Sequence, residues 1–145
     1  MRVVEVEAEE REHRKESTMI KPYTGDLEAA TLANEDFRRV LFTGAHAQLV
    51  VMCLRPGEEI GEETHPATDQ FFHIEEGTAR FVFDGGNEHL AYAGDAVVIP
   101  AGTRHNVVNA ATHGWLRLNT LYAPPQHPAG TVQHTKAEAL QAEHV

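Results

Sequence analysis

Glu63 and His65 stand two residues apart in "GEETHPATDQFF", Gln70 opens the apolar run that follows, and His105 comes just after the tight turn "PAGTR". In an extended segment, residues two apart leave the same face, so Glu63 and His65 can share one ion. Gln70 has Phe72 and Ile74 on its own face, and His105 has Val107 and Asn109 on its own. Two histidines, one carboxylate and one amide from three separate segments can therefore converge inside a small β-barrel, whose interior holds a single ligand. Glu58, Glu59 and Glu62 form the kind of acidic run that usually makes a solvated surface, and position alone sets Glu63 apart from them.

To bring these residues together the chain must be built of short strands. From "DLEAATLANEDFRRVLFTG" onward, apolar runs are broken by Gly, Pro, Asn and Asp, the pattern of an all-β domain. The expected strands are 37–43, 47–54, 70–75, 79–83, 89–92, 96–99, 105–109 and 115–121. The turn "DGGN" at 84–87 supplies the positive φ that a tight hairpin needs between "ARFVF" and "EHLAY". Strands this short must hide their edges, in a closed barrel or a double-sheet jelly roll. The prolines of "APPQHPAGTVQH" exclude a central strand there. Thr135 and Glu138 then stand at capping-box spacing ahead of "AEALQAEH", which predicts a short C-terminal helix. Residues 1–17 are nearly all charged apart from Val3, Val4 and Val6, and read as a poorly ordered arm that has room for a short edge strand. Residues 18–145 read as one domain.

Bulk properties narrow the partners. A chain of 145 residues can bury a core without disulfides. Its lone cysteine, Cys53, sits in "AQLVVMCL", cannot pair within the chain and reads as a small buried residue. The expected compartment is therefore reducing, the cytoplasm. With 22 acidic against 12 basic residues the formal charge is -10, which argues against nucleic acid and against an anionic membrane surface. No apolar run approaches the roughly 18 residues that span a bilayer, and "MRVVEVEAEEREHRKES" lacks the apolar core of a secretion signal. A small-molecule ligand or substrate is the expected partner.

The two segments resemble the paired motifs of the cupin superfamily. Gly57, Glu63, His65, Gln70 and Gly77 stand where the first motif has a glycine, two histidines, a glutamate and a glycine. Gly94, Pro100, Gly102, His105 and Asn109 meet every element of the second. The resemblance spans roughly residues 40–122 and implies a cupin jelly-roll β-barrel (a double-stranded β-helix), usually paired as a homodimer. In cupins, the histidines and glutamate of the first motif and the histidine of the second hold one metal ion. Carried over, the implied ligand set is Glu63, His65, Gln70 and His105. The carboxylate has moved by one ligand, leaving two histidines, one carboxylate and a weaker amide oxygen. That composition resembles the facial triad of non-haem Fe(II) and also suits Mn, Ni or Zn. A structural zinc site would be richer in sulfur and nitrogen.

The resemblance implies a metal-dependent enzyme acting on a small oxygenated molecule, either an isomerase or a dioxygenase. With "EIGEETH" and "DQFF" the chain looks like small cupins similar to mannose-6-phosphate isomerases, which brings sugars or sugar phosphates into view. A phosphate wants several cations, and Arg80, Arg104 and Arg117 are the candidates in the core region. The contrasting class is a non-catalytic metal-dependent binding or sensing module. What separates the two is a general acid or base in the pocket besides the ligands, for which Tyr92, Asp69 and Tyr122 are candidates. His73 is expected on the exterior or at a subunit contact, and His46, His89, His113, His127 and His134 read mostly as solvent-facing loop residues. Arg104 reads as a surface charge that can also meet an anionic substrate at the barrel mouth. Arg117 and Asn119 alternate with Leu116 and Leu118, so one of these two faces lines the pocket. Phe72, Phe81, Phe83 and Trp115 read as core packing.

Overall fold

The computed structural model describes residues 20–143, and the charged arm with its expected valine strand lies outside them. The described residues begin with helix α1 (Leu27–Ala33), followed by β1 (Arg38–Thr43), β2 (Gln48–Leu54), β3 (Asp69–Glu76), β4 (Thr78–Phe83) and β5 (Asn87–Tyr92). β6 (Ala96–Ile99), β7 (His105–Asn109), β8 (Leu116–Ala123), β9 (Val132–Gln133) and helix α2 (Lys136–Glu143) complete them. All eight expected strands form, with ends displaced by at most two residues. No helix of the described residues is long and apolar enough to cross a membrane.

The strands lie in two antiparallel sheets, in the orders β6-β3-β8-β2-β1-β9 and β5-β4-β7. Alternation decides what each sheet buries. β3 turns Gln70, Phe72 and Ile74 inward and Asp69, Phe71 and His73 outward. Val50, Met52, Leu54, Leu116 and Leu118 join them from the large sheet, and Ala79, Phe81 and Val107 face them from the small one. Phe72 meets Phe81 edge-on with ring centroids 5.2 Å apart, an arrangement that suits the charge distribution of aromatic rings. This is the expected jelly roll, with two facing sheets rather than one continuously hydrogen-bonded barrel. The expected hairpin at 84–87 is present, pairing Phe83 with Asn87 through residues at positive φ, Asp84 and Gly85.

Two features depart from the strand pattern read from sequence. Helix α1 lies within a stretch expected to be all-β. It is nucleated by Asp26, whose side chain accepts from Ala29 N at 3.0 Å, ahead of the helix-favouring run "LEAATLA". It covers the outer face of the large sheet: Asn119 Nδ2 donates to Thr31 Oγ1 at 3.2 Å and Arg117 Nε donates to Asn34 O at 3.0 Å. Arg117 and Asn119 therefore face α1, while Leu118, Thr120 and Tyr122 face the interior. Trp115, expected in the core, is instead only half-buried and packs its ring against the guanidinium groups of Arg55 and Arg117.

The C-terminal segment follows expectation. β9 is a two-residue edge strand on β1. α2 is capped by Thr135, whose hydroxyl accepts from Glu138 N at 3.1 Å, while Glu138 reaches back to accept from His134 N at 2.7 Å.

Two motif residues prove to be fold determinants. Gly77 has φ +91, and a Cβ there would lie 2.7 Å from Trp115 O, so no other residue fits. Asn109 is buried, donates to Leu54 O at 3.0 Å and Gly114 O at 3.1 Å, and accepts from Ala111 N at 3.0 Å. It ties the end of β2 to the turn before β8. Asn109→Ala strands those buried backbone groups and should destabilise the fold by about 2–3 kcal/mol, read by urea unfolding with an unchanged slope. A loss below about 0.5 kcal/mol would show that the clasp has no energetic role.

Candidate metal centre

Glu63 and His65 lie on no named strand, yet their segment is extended because it hydrogen-bonds along β7. Glu63 N donates to His105 O at 2.8 Å and His105 N returns to Glu63 O at 2.9 Å. Ile60 N donates to Val107 O, and Asn109 N to Glu58 O, each at 2.9 Å. This pairing sets the Glu63 and His105 side chains next to each other, and the two-residue period places His65 on the same face. One ligand atom from each of Glu63, His65 and His105 lies within 4.8 Å of the others.

The histidine environments explain how these atoms are held. His105 is 3% exposed; its Nδ1 lies 2.9 Å from Thr103 O and serves as the donor there, which leaves Nε2 as a lone pair. That Nε2 is buried with no hydrogen-bond partner. His65 Nε2 lies 3.0 Å from Glu63 Oε2. Burial by itself raises the pKa of Glu63, but the bond to His65 and the fields of His65, Arg38 and His105 outweigh it and hold the carboxyl below its usual value. It is therefore ionised at neutral pH. Gln70 is buried on the inner face of β3; its Nε2 donates to Thr120 Oγ1 at 3.0 Å and its Oε1 has no partner. The unpartnered His105 nitrogen, His65 and the ionised Glu63 make a donor set of the kind a divalent cation takes, so these residues fit the implied ion.

The other polar residues sort plainly. Asp69 is exposed and accepts from Ala101 N at 2.8 Å, and Tyr92 is 53% exposed, so neither faces the ligand cluster. Tyr122 does: it is 1% exposed, with its ring 5.8 Å from that of His65. Arg104 is a surface charge whose Nε lies 3.7 Å from Glu62 Oε1. His73 faces outward against Glu75. Cys53 is buried, and desolvation pushes its thiol up to about 11, so it is unreactive.

Two residues near the centre escaped the sequence reading. His127, expected in a solvent-facing loop, is half-buried, with Nε2 3.3 Å from Tyr122 Oη. Its segment is clasped by the buried Gln48, which donates to His127 O at 2.8 Å and accepts from His127 N at 3.0 Å. Nothing local to "PPQHPAG" signals this contact. Arg38 is the second, and its signal was present: in "FRRVLF" it shares the inward face of β1 with Val40.

Burial and the field of Arg38 hold His127 down to about 4, against 6.5 for a free imidazole. Between these values the unfolded chain binds the proton and the folded chain does not, so His127 contributes stability above pH 6.5 that is lost as pH falls toward 4. An NMR titration should place the His127 midpoint near 4. A midpoint above about 6 would contradict the buried environment.

Comparison with known proteins agrees with this geometry. A family model described as a cupin domain matches residues 50–117, which span both glycine-marked motifs. The chain is 44% identical over 128 residues to the uncharacterized protein YrkC of Bacillus subtilis, covering 85% of this chain and 68% of that one. It is 42% identical over 113 residues to the uncharacterized protein L612 of Acanthamoeba polyphaga mimivirus, with 76% and 70% covered. The crystal structure of BH2720 from Bacillus halodurans superposes with a TM-score of 0.80 at 41% identity, over 83% of this chain and 95% of that one. With the paired motifs, the facing sheets and these relatives in agreement, the chain belongs to the cupin superfamily, as a small cupin.

Proposed function

We propose that Glu63, His65 and His105, with Gln70 beside them, hold one divalent ion, and that the protein is a metal-dependent enzyme that moves a proton on a small oxygenated molecule. The observation that carries this reading is His105, oriented through Nδ1 by Thr103 O and left with an unpartnered buried Nε2, in a cluster where it, Glu63 and His65 each bring one ligand atom within 4.8 Å of the others. That is how histidines are held for metals. A divalent ion bound there, Fe, Mn, Ni or Zn, polarises a carbonyl or hydroxyl oxygen.

The wall around the ligands favours catalysis over simple binding. Burial raises the pKa of Tyr122 far above neutrality, so its hydroxyl keeps its proton. His127, 3.3 Å away, stays uncharged and can accept one. A hydroxyl that donates beside an imidazole that accepts is what an isomerisation needs, and general acid–base groups contribute about 10²–10⁴-fold. A sensor has no use for such a pair, and oxygen chemistry does not require it. Arg80 and Arg104 face Glu88 and Glu62 on the surface, and Arg117 faces Glu76 and α1 on the outer side of the large sheet, which favours an unphosphorylated molecule.

Elemental analysis of protein purified without chelators should find about one metal ion per chain, and less than about a tenth of that in Glu63→Ala and His105→Ala. Equal loading in both variants would reject the centre. In D₂O, NMR of a panel of small hydroxy-aldehydes and hydroxy-ketones should show exchange at carbon next to the carbonyl. Tyr122→Phe should slow this at least about a hundredfold while keeping its metal. Oxygen uptake without exchange would favour a dioxygenase, and neither across the panel would favour a binding module.

A further inference from the structure

Arg38 has no place in the ligand set, yet it is the one permanently charged side chain among the buried described residues, at 3% exposure. It lies on the inner face of β1, opposite Met52. A guanidinium carries five N–H donors. The Nη1 of Arg38 donates to a neutral acceptor, Gln133 Oε1, at 2.7 Å, and its Nε is buried with no acceptor. Among the described residues no carboxylate forms an ion pair with it. Glu63 feels its field and the Tyr122 hydroxyl lies within its hydrogen-bonding reach, yet the buried Nε keeps no acceptor, which is unfavourable in an interior.

Arg38 also lines a cleft of about 500 Å³ bounded by β9, α2 and the segment before them, a volume in the range of small-molecule sites. His127 lines the same cleft. Its ring is 5.2 Å from that of Tyr122, which is 5.8 Å from His65, so a single side chain separates the cleft wall from the ligand cluster. Val132, Ala139 and Ala142 give the cleft an apolar wall, and Glu138 and Glu143 also line it.

We propose that this cleft binds a small monocarboxylate, with its carboxylate on the Arg38 guanidinium and its apolar body against Val132, Ala139 and Ala142. The charges select the class. Glu138 and Glu143 on the same wall oppose each added negative charge, so a monoanion on the single cation is favoured over a phosphate dianion, which would lack a second cation. The planar fork of arginine matches the two oxygens of a carboxylate. That the monocarboxylate is the substrate of the metal centre rests on the function proposed above; its contact with Arg38 does not.

The test is ¹⁵N NMR of the full chain titrated with sodium butanoate, butanamide or inorganic phosphate at constant ionic strength. Butanoate alone should shift the Arg38 Nε–H resonance saturably, and Arg38→Gln should weaken butanoate binding at least about tenfold. Arg38→Lys, which keeps the charge and loses the fork, should fall between. An unmoved resonance, an equal shift with butanamide or phosphate, or wild-type affinity in Arg38→Gln overturns the proposal. If Arg38→Gln fails to fold, the wild-type resonance decides alone. Metal content measured on the same wild-type samples separates the two ideas: metal without a butanoate shift sinks only the carboxylate site, and a shift without metal sinks only the metal centre.

Discussion

The antiparallel pairing of the 58–65 segment with β7 is the constraint on which the centre depends. Glu63 and His105 exchange both backbone hydrogen bonds, at 2.8 and 2.9 Å, and this fixes which side chains are neighbours. A slip of one residue would send Glu63 and His65 to the opposite face and dissolve the donor set. The register is held from several points: Gly61 N donates to the Asn106 side chain at 2.9 Å, and Gly102 N donates to His65 O at 2.9 Å. Gly57 and Gly102 take the positive φ that the turns at either end of this pairing require.

A second organising fact is the division of buried polar groups into satisfied and unsatisfied. Asn109, Asn119 and Gln48 spend their amides on backbone or side-chain partners, and each joins elements that are distant in sequence. They are scaffold. His105 Nε2, Gln70 Oε1 and Arg38 Nε are buried and unpartnered. Such groups are unfavourable in an interior unless something else meets them. Arg38 starts four residues along the sheet from Gln70, yet its field reaches Glu63 and Tyr122, so the unpartnered groups surround one interior region. The motif asparagine thus belongs to the architecture, while the glutamine that replaces a carboxylate keeps a buried oxygen free.

Much of this was legible in the chain. Period-two alternation identified the inward residues of β3, because a strand with one face on a core cannot place Gln70, Phe72 and Ile74 anywhere else. Glycines at "DGGN" announced the hairpin, and Thr135 with Glu138 announced the terminal helix, because these are local conformational demands. Helix α1 was missed for a related reason: seven residues are too short for a clear apolar period, and its stability comes from docking on Asn119 and Arg117. The inward face of the last strand was left open by its alternation, since α1 buries Asn119 on one side while the core buries Thr120 on the other.

The sequence by itself determined the fold class, eight of the nine strands among the described residues and the convergence of Glu63, His65 and His105, because alternation, turn chemistry and motif spacing are all encoded within a few residues. Only the tertiary structure decided what surrounds that set. His127 reaches Tyr122 because Gln48, 79 residues away, clasps its backbone, and Arg38 is buried against Gln133 across 95 residues. Protonation state and unpaired charge arise from burial and from contacts between distant segments, and neither is a property of a residue until the sheets close over it.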